Sequence, residues 1–197
     1  MKTRHGTKEK ILSVAIEYFS LYGFKATSMR MIAKEVGIRE SAIYNHYKNK
    51  DAILLTVMNE LFSLPSPTQK LEEKNIDVKS YLNDYVKEYK TIALDKKNEK
   101  LFKLLMIELL QNETIRKEFM ENFHAATIKQ LSQSFFIMMQ NSLVRSSDPI
   151  VMAYEFISTL FYIRLQNTLL DIDKQKNSFI ESMFDKHVDF FWESIKV

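Results

Sequence analysis

Along this chain the apolar positions step by threes and fours rather than by twos, in long runs broken at few places. Ile11, Ala15, Tyr18, Phe19 and Tyr22 recur at helical spacing and stop at Gly23, which predicts a first helix over residues 7–22 closed by a left-handed glycine. Ser28 is a good N-cap residue ahead of the apolar stripe Ile32, Ala33 and Val36, and Gly37 ends that second helix. A third segment of about seven residues follows. At about 100° per residue, Ile43 and Tyr47 share one of its faces while Ser41, Ala42, Asn45 and His46 fan across the other. Asn49 is placed to cap a fourth helix reaching Leu61, with Ala52, Leu55, Met58 and Leu61/Phe62 along one face.

The stretch Ser63-Leu64-Pro65-Ser66-Pro67 is the strongest break in the pattern, so a domain boundary is expected there, dividing the chain into 4–64 and 65–197, with 65–76 as a polar linker. Beyond it, Val78, Tyr81, Leu82, Tyr85, Val86 and Tyr89 line one face of a fifth helix. Residues 99–110 are apolar nearly all round, the mark of a helix enclosed by others. A seventh helix over 113–143 carries Ile115, Phe119, Phe123, Ile128, Leu131, Phe135 and Met138. Asp148-Pro149, an N-cap followed by proline at the first helical position, opens an eighth to Leu170, and a ninth covers 177–195. The fold expected is all-α, with about nine helices. The last two helices carry apolar residues over more than one face. That surplus predicts a second copy of the chain closing a four-helix bundle, with Phe156, Leu160, Phe184 and Phe191 as its candidate contacts.

Composition agrees with long helices: three glycines, all within the first 37 residues, and three prolines leave few places to turn. Charge sharpens the picture. The net charge of +3 divides into +6 over residues 1–50 and −3 over the rest. The basic part is the part with the two short helices, and small or hydrogen-bonding residues flanked by Arg39, Lys48 and Lys50 are what a helix entering a DNA major groove needs. With no cysteine, disulfides and thiolate metal sites are excluded, and the four scattered histidines have no second ligand at metal spacing, so neither metal nor cofactor is expected. No apolar segment follows the basic N-terminus and no stretch long enough to span a bilayer is free of charge, so a cytoplasmic protein without signal peptide or membrane span is expected. No nucleophile-base pair supports an enzyme.

The N-terminal fifty to sixty residues resemble the tetracycline-repressor (TetR) family of bacterial transcriptional regulators. The resemblance rests on a helix ending AIEYFSLYGFKATS, then MRMIAKEVGI, then Tyr44-Asn45-His46-Tyr47-Lys48-Asn49-Lys50. It implies a helix-turn-helix DNA-binding domain followed by a larger helical effector-binding and dimerisation domain. It also implies that Ser28, Arg30, Tyr44, His46 and Lys50 hold phosphates while Arg39, Glu40, Ser41, Ala42 and Asn45 face base edges. Arg39 stands where the family commonly has a capping Ser or Thr, which removes a cap and adds a potential guanine reader.

In this family the cavity for a small apolar or amphipathic effector lies among the later helices. Its expected lining here is Tyr85, Tyr89, Phe102, Met106 and Phe123. Arg164, within an apolar run, has three readings: anchor for an anionic effector, bridge across a dimer, or a side chain snorkelling to solvent. The function expected is a dimeric, ligand-responsive repressor of a near-palindromic operator in double-stranded DNA. The alternative is a ligand-independent DNA-binding accessory protein acting through protein contacts.

Overall fold

Each capping signal starts a helix where the chain leaves extended backbone. Ser28, Asp77, Asn112 and Asp148 all have β-region φ/ψ, and their side chains accept from Met31 N, Ser80 N, Ile115 N and Ile150 N respectively. The computed structural model describes residues 4–62, 76–175 and 178–197, with side chains left out at 4, 5 and 60–62. The expected Ser63–Pro67 break, most of the linker and Asn177 lie outside the described residues, as do the side chains of Leu61 and Phe62 that end the fourth helix's stripe. The described residues form α1 (Arg4–Tyr22), α2 (Met29–Val36), α3 (Glu40–Ile43), α4 (Lys50–Phe62), α5 (Val78–Ala93), α6 (Lys96–Gln111), α7 (Glu113–Glu118), α8 (Ala125–Gln140), α9 (Pro149–Ile172) and α10 (Ser178–Ile195).

The nine expected helices are present, the seventh divided into α7 and α8 by a π-helical turn at Phe119–His124. The cause is legible in its apolar positions. They step by four from Ile115 through Phe119 to Phe123, then by five to Ile128, and a π turn absorbs that extra residue.

The chain folds into two compact units. One takes Met1–Ser63 with Lys96–Met120, the other Leu64–Asp95 with Glu121–Val197. In the first, Ile11, Ala15, Phe19, Phe24, Ile32, Val36, Ile43 and Tyr47 are all buried, as their spacing predicts. The fourth helix departs from expectation: α4 buries Ile53, Leu54, Val57 and Met58, while Ala52 and Leu55 stay half-buried. It packs against α1 as well as α6 and α7, so its buried stripe is wider than one partner would demand and is turned by a residue. Nor is α6 enclosed. It buries Leu101, Phe102, Leu104 and Leu105, but Ile107 and Leu110 are 54% and 85% exposed.

In the second unit α9 packs on α8 and α10, and α10 on α5. Phe156 lies at the centre of this core, with ring centroids 5.0 Å from Phe191, 5.4 Å from Tyr85 and 5.5 Å from His187. Ion pairs Lys79–Asp189 (2.8 Å) and Lys90–Asp185 (2.9 Å) flank the α5–α10 seam. The interface expected at Phe156, Leu160, Phe184 and Phe191 is corrected by this packing: the first three are wholly buried and the fourth nearly so, all in the intrachain core. α9 and α10 are apolar on two faces, and these four residues lie on the inward one.

His187 is buried in that core with Nε2 3.0 Å from the Phe156 carbonyl oxygen. Burial lowers its pKa below the ordinary 6.5, a shift only partly offset by the hydrogen bond to Phe156. The folded state therefore binds this proton less readily than the unfolded chain. Its contribution to stability is complete above the unfolded value and is lost as pH falls through 6.5 toward the lower folded pKa. Urea melts of wild type and His187→Gln between pH 7.5 and 5 are expected to show a smaller loss of stability on acidification in the variant. Replacing Phe156 with Ala is expected to cost about 3–5 kcal/mol in the same assay.

Candidate nucleic-acid interface

Two short helices and a tight turn produce the candidate reading surface. The Ser28 hydroxyl accepts from Met31 N at 3.2 Å, and Gly37 at φ 79° closes α2. Gly37 N donates to Lys34 O and Ile38 N to Ala33 O, a pair of bonds that requires a left-handed residue and so favours glycine. Lys10 adds a third closure from α1, donating to Val36 O at 3.0 Å. The chain then turns through extended Arg39 into α3.

α3 itself is only four residues long, shorter than its pattern suggests. It continues as hydrogen-bonded turns, His46 N and Tyr47 N both donating to Ile43 O at 3.0 Å. Arg39 makes no side-chain cap, so the missing Ser or Thr is not replaced. Ile43 and Tyr47 are buried and fasten this segment to the core. Arg39, Glu40, Ser41, Tyr44 and Asn45 are exposed, with Ala42 and His46 half-buried. The wheel's separation of a packing face from an open one is therefore present in the structure, and Tyr44, half exposed, lies on the open side.

Ser28 and Arg30 are exposed at the start of α2. Lys50 is placed differently from a free phosphate ligand. Its ammonium donates to Phe24 O at 2.7 Å and Lys25 O at 3.4 Å, and lies 4.7 Å from the centre of the Phe24 ring. In this conformation the cation ties the first turn of α4 to the α1–α2 corner. That corner is fixed independently by Thr27, a buried residue whose hydroxyl donates to Gly23 O and Tyr18 O.

Behind this surface sits a polar cluster that the sequence did not announce. Glu108 of α6 is 3% exposed, within a run apolar nearly all round. Burial pushes its carboxyl pKa up, against the nearby Lys25 and Lys50 charges and a hydrogen bond from Asn112. The Asn112 amide also donates to Asp51 at 3.0 Å, while its oxygen caps α7. A single glutamate in an apolar stretch is the only sequence signal of this arrangement.

The residues expected around an effector do not share one unit: Phe102 and Met106 belong to the first, Tyr85, Tyr89, Phe123 and Arg164 to the second. Tyr85, Tyr89 and Phe102 are buried; Met106 and Phe123 are half-buried. Arg164 is 3% exposed, so the snorkelling reading is corrected. Its guanidinium instead lies beside the Tyr89 phenol, whose pKa burial raises and Arg164 partly restores. Among the described residues no group of three His, Asp or Glu side chains is placed to hold a metal ion, and no helix is long and apolar enough to cross a membrane.

Residues 11–57 match the family model described as bacterial regulatory proteins, tetR family. The uncharacterized HTH-type transcriptional regulator YerO of Bacillus subtilis is 25% identical over 175 residues; the match covers 87% of this chain but only 60% of that relative's length. Among solved structures, a tetR-family regulator from Mesorhizobium loti superposes with a TM-score of 0.76 at 20% identity and full coverage of both chains. A SmeT–triclosan complex gives 0.76 at 18% identity, covering 98% of this chain and 92% of that one. At such identities the superpositions establish the fold. The matched segment, residues 11–57, spans the helix-turn-helix just described and is similar to the tetR family of bacterial regulatory proteins.

Proposed function

We propose that this protein is a cytoplasmic, ligand-responsive transcriptional regulator, a repressor that binds a near-palindromic operator as a homodimer and leaves it when a small apolar or amphipathic effector binds. The observation that carries the reading is the division of the third helical segment: Ile43 and Tyr47 are locked into the core while Ser41, Tyr44 and Asn45 stand open. A rigid platform with small hydrogen-bonding side chains is what a major groove admits. Residues 4–64 serve as the DNA-binding domain and 65–197 as the effector-binding and dimerisation domain, α6 packing with the former's compact unit.

Ser41, Ala42, Asn45, Arg39 and Glu40 face the bases in this reading. Ser28, Arg30, Tyr44, His46 and Lys50 hold phosphates, Lys50 by exchanging its carbonyl acceptors for a phosphate oxygen. Two such surfaces one helical turn apart, about 34–36 Å, would engage successive major grooves. Buried Arg164 beside Tyr89 supports an effector bearing an acceptor group, with Tyr85 and the half-buried Phe123 in the same compact unit.

The surface for a second copy is the one α9 and α10 leave uncovered. Val151, Tyr162 and Leu169 fall within about 20° of one another on α9, as do Phe179 and Phe190 on α10, and all five are more than half exposed. They take the place of the four buried residues first expected there.

Two measurements check these assignments. In gel shifts on DNA selected from a random pool, Asn45→Ala is expected to lose about 1–3 kcal/mol at one base position, whereas Tyr44→Ala with Lys50→Ala weakens binding to every sequence and flattens the salt dependence. A double mutant that binds as tightly as wild type would refute the phosphate roles. By light scattering, Tyr162→Asp with Phe190→Asp is expected to convert dimer to folded monomer; an unchanged mass would place the interface elsewhere.

A further inference from the structure

A groove of about 730 Å³ runs along the first unit between α1 and α6. Its two ends differ in chemistry. Lys96, Lys100 and Lys103 follow i, i+4, i+7 and so share one face of α6, with Lys97 beside them on the same wall. Leu104 and Ile107 continue that face one turn further on. Asn112, just past the end of α6, donates to Asp51, and the adjacent Lys50 donates to Phe24 O, so the C-terminal ends of α1 and α6 lie together and the two helices run in the same direction along the groove. Phe19, Leu21 and Phe24 of the α1 end therefore line the same part of the groove as Leu104 and Ile107.

Four cations over the first two turns, about 10 Å of helix, thus give way to an apolar trough. Leu21 and Ile107 stand in it 65% and 54% exposed. The N-terminal end of α6 adds its positive dipole where the lysines begin. Glu17 and Glu108 are the two carboxylates in the lining, one toward each end. The volume is that of a small-molecule site, which runs from about 300 to 1,000 Å³. It is too small a surface for a stable protein partner, which needs about 800 Å² from each side.

We propose that the α1–α6 groove binds a soluble single-chain anionic amphiphile of the alkyl carboxylate type, its head among Lys96, Lys97 and Lys100 and its tail over Leu104, Ile107 and Phe19. This site is separate from the effector residues of the proposed function and does not depend on DNA binding.

Calorimetry on the full chain with dodecanoate below its micelle concentration tests it, beside octanoate, uncharged 1-dodecanol and anionic phosphatidylglycerol vesicles. Dodecanoate is expected to bind at least about tenfold more tightly than octanoate, since each buried methylene contributes roughly fourfold, and more tightly than 1-dodecanol. Lys96→Glu with Lys100→Glu is expected to weaken dodecanoate at least tenfold, and Ile107→Asp likewise. All three positions are largely exposed, so both variants keep the fold. Unchanged dodecanoate affinity in both variants would overturn the proposal. So would capture by vesicles without binding of the monomer, or loss of DNA affinity in the lysine variant with dodecanoate binding intact.

Discussion

At the junction of α6 and α7 one asparagine holds three groups at once. Asn112 donates to Asp51 in the first turn of α4 and to the buried Glu108 carboxylate, and its oxygen caps α7 through Ile115 N. The arrangement matters because the three-helix core above it is small. About fifty residues bury too little surface to fold with a comfortable margin. α6 makes up the deficit by placing Leu101, Phe102, Leu104 and Leu105 in the core with Ile53, Leu54, Val57 and Met58 of α4. A misplaced α6 would leave Glu108 buried without its partners, which costs more than the hydrogen bonds contribute when made. The polar cluster therefore specifies where α6 sits, and hydrophobic burial supplies the energy.

The same logic reaches the exposed α2–α3 surface through α4. Its first turn is held from one side by Asn112 and from the other by Lys50, whose ammonium bridges to the carbonyls of Phe24 and Lys25. α2 is closed by Gly37 and by Lys10 from α1, and the Tyr18 hydroxyl donates to Glu35 at 2.9 Å. Apart from the local Gly37 closure, each of these bonds joins segments far apart in sequence, and together they leave the four-residue α3 little freedom. A reading surface so short gains its rigidity from what surrounds it rather than from its own helical propensity.

Much of this was legible beforehand, for physical reasons that differ from place to place. Caps and glycines act locally, so Ser28, Gly37, Asn49 and Asp148 marked helix ends directly, and period 3.6 separated Ile43 and Tyr47 from Ser41 and Asn45. Pairing of faces is not local. The α9 and α10 patterns showed two apolar faces each, but which faces inward depends on helices distant in sequence, so Phe156 and Phe184 were given to a partner when they build the core. The α6 pattern looked enclosed because hydropathy cannot tell a face covered by protein from one left open, as Ile107 and Leu110 are. Glu108 was passed over because one carboxylate in an apolar run is ordinarily solvated, and only the approach of Asn112 and the lysines gives it a role.

α6 and α7 belong energetically to the helix-turn-helix unit through the Asn112–Asp51 bond. A double-mutant cycle with Asp51→Ala and Asn112→Ala, read by urea denaturation, tests it most directly. The account predicts a coupling energy of about 1.5–3 kcal/mol, the range for a hydrogen bond to a charged group. Losses that simply add, to within about 0.3 kcal/mol, would contradict it.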